Sequence, residues 1–115
     1  MLKLSNELPS DIFEKRFGGE GEGKATRLLE VDQMNGKGRM FNRMMLKPGS
    51  SLGYHQHNGE TETYYILAGE GILNDNGEKK PIKAGDVALT DNGGYHSIEN
   101  TGTDNLEFIA LILFA

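Results

Sequence analysis

Residues 49–62 read GSSLGYHQHNGETE and place two histidines and two glutamates around one Asn-Gly turn. His55 and His57 are two positions apart, so on a β-strand both imidazoles leave the same face. An Asn-Gly pair favours a tight turn, and the returning chain brings the carboxylate of Glu60 or Glu62 opposite the imidazoles. The two glutamates have the same strand parity, so alternation alone leaves both as candidates.

His96, in the distant segment 93–98, is the third and last histidine of the chain. Two imidazoles on one strand, a carboxylate on the next and a third imidazole from afar can form a divalent-metal site. Imidazole nitrogen suits zinc, copper, iron and nickel, and a carboxylate oxygen extends the choice to manganese. One carboxylate cancels only half of the charge of such an ion, so we expect the site to attract an anionic ligand.

The rest of the sequence predicts one all-β domain spanning 1–115. Sixteen glycines in 115 residues favour frequent tight turns. Turn pairs such as Asn35-Gly36 and Asn76-Gly77 separate short apolar runs, which is typical of a sandwich or barrel. The predicted strands are 25–32, 38–47, 52–57, 62–67, 71–75, 79–83, 86–90, 95–100 and 105–114.

Two further elements carry their own expectations. Ser10 can cap a short helix over Asp11 to Phe17, which Gly18 can end in the left-handed conformation. In the last strand, 105–114, both faces are apolar, so both need cover. We expect the outer face to be covered either by packing within the monomer or by a second subunit in a homodimer.

Composition excludes several classes of function. Twelve Lys and Arg against 17 Asp and Glu give a net charge of −5, which offers nucleic acid no electropositive surface. The apolar C-terminal run is too short for a membrane helix. The chain has no cysteine, which removes disulfides and thiolate sites. We therefore expect a cytoplasmic protein that has neither a nucleic-acid nor a membrane partner.

The motifs resemble those of the cupin superfamily, in particular its small single-domain microbial members. The first cupin motif, G-x5-H-x-H-x3-4-E-x6-G, falls within 49–69, and the second, G-x5-P-x-G-x2-H-x3-N, within 85–100. The only departure is Asp91 in place of the proline. The matching positions are Gly49, His55, His57, Glu62, Gly69, Gly85, Gly93, His96 and Asn100.

The resemblance implies a jelly-roll β-barrel (a double-stranded β-helix), often dimeric, with one divalent transition metal per chain. It implies that the metal ligands are His55, His57, Glu62 and His96, and so favours Glu62 over Glu60. The ion can be manganese, iron, cobalt, nickel, copper or zinc.

Strand parity extends the predicted pocket beyond the metal ligands. If Glu62 points inward, so do Tyr64 and Ile66, and if His96 does, so do Ile98 and Asn100. Tyr64 is the candidate catalytic residue, as a proton donor or as a hydrogen-bond partner of the ligand; alternatively it only packs, with its hydroxyl at the mouth of the barrel.

The strand over 38–47 is apolar on both faces, so its inward set is open. One set would make an adaptable, mostly apolar cavity, whereas the other would place Arg43 near the metal and favour an anionic substrate. The two sets are Met40, Asn42, Met44 and Leu46, or Phe41, Arg43 and Met45.

Three functions are compatible with such a site. The first is a metal-dependent enzyme that acts on a small carboxylate or sugar by dioxygenase, isomerase or lyase chemistry, all of which are found among similar proteins. The second is a protein that binds such a molecule without turnover, and the third is a structural metalloprotein. No histidine remains to act as a general base, which slightly weakens the enzymatic hypothesis, although Tyr64, Tyr95 or a metal-bound hydroxide could serve.

Overall fold

The computed structural model describes all residues, 1–115, and consists of ten β-strands in two antiparallel sheets. The strands are β1 (Ser10–Glu14), β2 (Glu22–Arg27), β3 (Gly38–Leu46), β4 (Ser51–Gln56), β5 (Glu60–Ala68), β6 (Glu70–Asp75), β7 (Glu78–Lys83), β8 (Val87–Thr90), β9 (Tyr95–Asn100) and β10 (Leu106–Phe114). The all-β prediction is confirmed.

The two sheets enclose the hydrophobic core. One has the strand order β1-β2-β3-β10-β5-β8 and the other β4-β9-β6-β7. Both contribute inward side chains at alternate positions, as the pleat requires. The fully buried apolar side chains of the core include Leu46, Ile98, Leu106 and Phe108.

The N-terminal region differs from the prediction. Ser10–Glu14 forms β1, which pairs with β2, so the helix predicted over 11–17 is wrong in its bounds. Helical structure here is limited to one-turn 3-10 helices at Ser5–Glu7 and Arg16–Gly18. Pairing with β2 and burial of Phe13 outweigh the weak local preference for helix.

The predicted strand over 25–32 also ends early, at Arg27. A 3-10 helix, Val31–Met34, follows it. A capping box begins this helix: the side chains of Glu30 and Gln33 each accept a hydrogen bond from the backbone N–H of the other residue. These local hydrogen bonds compete with continued strand pairing.

β10 has the predicted inner face, since Leu106, Phe108, Ala110 and Ile112 are all buried. Its outer face is less covered, and Leu113 is exposed. A homodimer through this face stays a prediction. No helix in the structure is long and apolar enough to cross a membrane.

The 3-10 turn Arg16–Gly18 packs directly on the backbone of β4. A Cβ at Gly53 would collide with the carbonyl oxygen of Phe17, and it would also lie 2.9 Å from the Gly19 nitrogen. Only glycine allows this approach, which brings Phe17 over the segment that carries two of the histidines.

Gly53→Ala should lower the free energy of unfolding by about 1–3 kcal/mol, because two backbone segments would have to separate. Urea denaturation measures this change. Gly102→Ala is the matched control, since its Cβ would meet first the flexible Glu70 side chain, at 3.1 Å. Equal stabilities of the two variants would contradict the close packing described here.

Candidate metal centre

The three histidines and Glu62 meet between the two sheets. His55 on β4 and His96 on β9 are direct partners across the four-stranded sheet. Glu62 enters from β5 of the six-stranded sheet, and His57 follows the end of β4. The backbone of His57 is held by hydrogen bonds with Gly93 and Gly94. The structure thus brings together all four residues that the sequence predicts as ligands.

Four donor atoms of these residues converge on one point. Nε2 of His96 lies 3.0 Å from Nε2 of His57 and 3.2 Å from Nε2 of His55. Oε1 of Glu62 lies 2.9 Å from the His57 nitrogen and 3.0 Å from the His96 nitrogen. Three imidazole nitrogens and one carboxylate oxygen therefore form a compact set.

The opposite ring nitrogen of each histidine is engaged outside this set. For His55 and His57 the partner is a carbonyl or carboxylate oxygen, which only accepts, so Nδ1 carries the proton and the lone pair lies on Nε2. A threonine hydroxyl can accept from the third ring in the same way. The Nδ1 contacts are His55 to Gly53 O (2.6 Å), His57 to Glu60 Oε2 (2.5 Å) and His96 to Thr90 Oγ1 (2.8 Å).

This arrangement fits a divalent transition metal. Ligand atoms about 2.1 Å from an ion and at right angles to one another lie about 3.0 Å apart, which is the spacing observed for four of the six donor pairs. All four donors lie within 4.8 Å of one another. Lone pairs that meet inside a protein also need a cation or a proton between them. A set of three nitrogens and one oxygen suits the first-row divalent metals.

The electrostatics draw positive charge to the same point. Burial would raise the pKa of Glu62, but in the metal-free chain protons on Nε2 of His57 and His96 can donate to this carboxylate, which outweighs burial and lowers the pKa to about 2. A bound ion would take the place of these protons. The same carboxylate raises the pKa of His57. Burial lowers the pKa of His55, which keeps that imidazole neutral and able to bind a metal.

A cavity of about 230 Å³ adjoins three of the four donor residues, His55, His57 and Glu62. Phe17 stands at its edge and stacks on the His55 ring at a centroid distance of 3.9 Å. Phe17 has a left-handed backbone with φ of 56°, a conformation that costs a non-glycine residue free energy and that packing on β4 maintains. The cavity is lined by Arg16, Phe17, Arg39, Met40, Met44, Leu52, His55, His57, Glu62, Tyr64, Ala110 and Ile112.

The predicted pocket residues divide into two groups. Tyr64 and Met44 line the cavity, and the Tyr64 hydroxyl lies 3.4 Å from Nε2 of His96. Asn42, Ile66 and Ile98 are buried but do not line it.

Arg43 points away from the cavity and pairs with Glu107 at 3.0 Å on the opposite face of the sheet. Of the two inward sets left open for 38–47, the structure adopts the one that contains Met44, because Met44 and Leu46 fill the space between the sheets. The placement of Arg43 near the metal is therefore wrong.

Six cavity residues were not predicted from the sequence: the apolar Leu52, Ala110 and Ile112, and Arg16, Phe17 and Arg39. Arg16 and Phe17 reach the cavity through a turn that has no periodic signal. Arg39 is the extra residue of a β-bulge, since Met40 faces Ile112 while Gly38 faces Leu113. A bulge redirects a side chain that alternation would place elsewhere.

Comparisons with known proteins agree with this geometry. The sequence profile described as "Cupin domain" matches residues 42–112. The oxalate-binding protein of Thermotoga maritima is 51% identical over 113 residues, which are 98% of this chain and 93% of that protein.

Solved structures extend the similarity to the whole fold. A crystal structure from Thermotoga maritima, described as a predicted oxalate decarboxylase, has a TM-score of 0.96 at 50% identity and covers 100% of both chains. The Schizosaccharomyces pombe Cnp3 cupin domain has a TM-score of 0.74 at 14% identity, covering 91% of this chain and 69% of that one, and supports the fold alone.

The predicted jelly-roll architecture is confirmed by these matches, and the chain belongs to the cupin family.

Proposed function

We propose that this protein binds one divalent transition-metal ion and, through it, a small dicarboxylate of the oxalate type. The observation that carries the proposal is the convergence of four donor atoms, three of them from buried residues and one from the half-buried His55. The outer nitrogens of the three imidazoles are engaged elsewhere, which leaves the Nε2 lone pairs free. His55, His57, His96 and Glu62 would hold the ion. When bound, the ion supplies a positive centre that attracts carboxylate oxygens.

The cavity favours a small anion. Its volume of about 230 Å³ is below the range of about 300–1,000 Å³ that is typical for drug-sized ligands. Two arginines, Arg16 and Arg39, are among its lining residues, and its one carboxylate is the proposed metal ligand Glu62. The guanidinium of Arg39 is already paired with Glu60. Arg16 has no carboxylate partner and lies over the Phe13 ring at 4.1 Å. The similarity to an oxalate-binding protein supports the same ligand class.

The arrangement favours binding over turnover. Apart from the metal ligands, Tyr64 is the one cavity residue able to exchange a proton near the donors. Burial raises the pKa of Tyr64 well above its usual value, and Glu62 adds to this effect. The phenol therefore stays protonated at neutral pH, which excludes a role as a base. The raised pKa also makes it a weaker acid, so Tyr64 is better suited to hold a ligand by a hydrogen bond than to act as the predicted proton donor.

Removing the charged ligand should weaken metal binding. Glu62→Gln should lower zinc affinity at least about tenfold. Replacing a residue that only hydrogen-bonds to a metal ligand already lowers metal affinity about 10–100-fold. Chelator-competition titration measures the affinity. Glu99→Gln, an exposed change on β9, is the matched control and should bind zinc like the unmodified protein. Equal affinities for the two variants would contradict the proposed ligand set.

Oxalate should bind only to the metal-loaded protein. Calorimetry with manganese-loaded protein should give about one oxalate per chain, with acetate about 10–100-fold weaker, because acetate forfeits charge-assisted hydrogen bonds worth about 1.5–3 kcal/mol.

The metal-free protein is the control for this titration. Equal oxalate binding with and without the ion would refute the proposed role of the metal. Release of carbon dioxide or consumption of oxygen by the oxalate complex would instead establish turnover, which would contradict the binding function.

A further inference from the structure

Glu60 lies close to the metal centre without joining its donor set. It shares the inward row of β5 with Glu62 and Tyr64, and it is buried. The four converging donors do not include it. Its Oε2 lies 2.5 Å from Nδ1 of His57, on the side of the ring that faces away from the donors. Glu60 is thus placed to act on the ring and not on the ion.

The second partner of Glu60 is Arg39. Nε of Arg39 donates to Oε1 of Glu60 at 2.7 Å, and a terminal nitrogen donates to Oε2 at 2.8 Å. This two-point contact is the geometry that holds a carboxylate in a single orientation. The bulge at Arg39 makes this ion pair possible, because regular alternation would place the Arg39 side chain on the outer face of the sheet, opposite to Glu60. Both oxygens of Glu60 are therefore engaged.

His57 needs such an anchor more than the other two histidines. His55 and His96 sit within paired strands and face each other in register. His57 follows the end of β4, in the turn that leads to β5. Backbone contacts to Gly93 and Gly94 fix its main chain but leave rotation of the ring to its side-chain partners.

We propose that Glu60 is a positioning residue that holds the His57 ring with Nδ1 protonated and Nε2 directed at the metal, and that Arg39 keeps Glu60 in that place. The inference rests on the proposed metal binding. Its physical basis is general: a carboxylate that accepts the outer N–H of a metal-bound imidazole fixes the tautomer and makes the other nitrogen a stronger donor.

Zinc affinity provides the first readout. Glu60→Ala should lower it about 10–100-fold, the usual effect of removing such a partner. Arg39→Gln leaves the contact between Glu60 and His57 possible, so a smaller loss is expected. Glu99→Ala, on the exposed face of β9, is the matched control and should not change the affinity.

The ring proton of His57 provides a second readout, which a purely structural role of Glu60 would not move. Zinc-loaded protein with ¹⁵N-labelled histidine should show a protected Nδ1–H resonance for His57. Glu60→Ala should abolish its protection. Glu60→Gln keeps an oxygen acceptor but loses the charge, so the proton should remain visible and shift upfield, with a zinc affinity between those of the other two proteins.

The outcomes are distinct. If Glu60→Ala binds zinc as tightly as the unmodified protein and keeps the ring proton, the inference is overturned. If Glu60→Ala does not fold, unchanged affinity and an unchanged proton shift in Glu60→Gln overturn it equally. Failure of the unmodified protein to bind zinc would refute the proposed function itself.

Discussion

Three hydrogen bonds from Nδ1 atoms to fixed oxygens orient the histidines, and the candidate site depends on them. Each bond turns an Nε2 lone pair toward the point that Glu62 also faces. The rings are in contact at this point, with Nε2 atoms as close as 3.0 Å. Uncharged nitrogens at this distance gain nothing from one another, so the arrangement is favourable only when a cation or proton lies among them.

The fold supplies these oxygens from separate parts of the chain. A backbone carbonyl of β4 orients His55, a hydroxyl at the end of β8 orients His96, and a carboxylate at the start of β5 orients His57. Because the four proposed ligands come from both sheets, a bound ion would link the two layers. If the ion binds only to the folded chain, its binding free energy adds directly to the free energy of unfolding.

Much of this could be predicted from the sequence. The spacing of His55 and His57 places both on one face of a strand, and the cupin motifs single out Glu62 and His96. Apolar runs separated by turn pairs predict nine of the ten strands, β2 to β10. These features depend on neighbouring residues only. Strand alternation and the preferences of turn residues determine them, so they can be predicted without knowing the tertiary structure.

The features that could not be predicted depend on contacts between distant segments. β1 exists because β2 pairs with it, against the weak helical preference of its residues. Arg39 reaches Glu60 because of a β-bulge, which the sequence pattern does not predict. Phe17 reaches His55 because Gly53, which has no Cβ, allows the Phe17 backbone to pack directly on β4. Strand alternation places Glu60 on the same face as Glu62, so the sequence alone leaves it as a candidate ligand. Its proposed positioning role follows only from its contact with Nδ1 of His57.

The most direct measurement is anomalous diffraction from crystals of the protein loaded with manganese or zinc, recorded at the absorption edge of the metal. The account predicts one strong peak per chain, about 2.0–2.2 Å from three Nε2 atoms and from Oε1 of Glu62. A peak elsewhere, or an ion bound through Nδ1 of any of the three histidines, would contradict it.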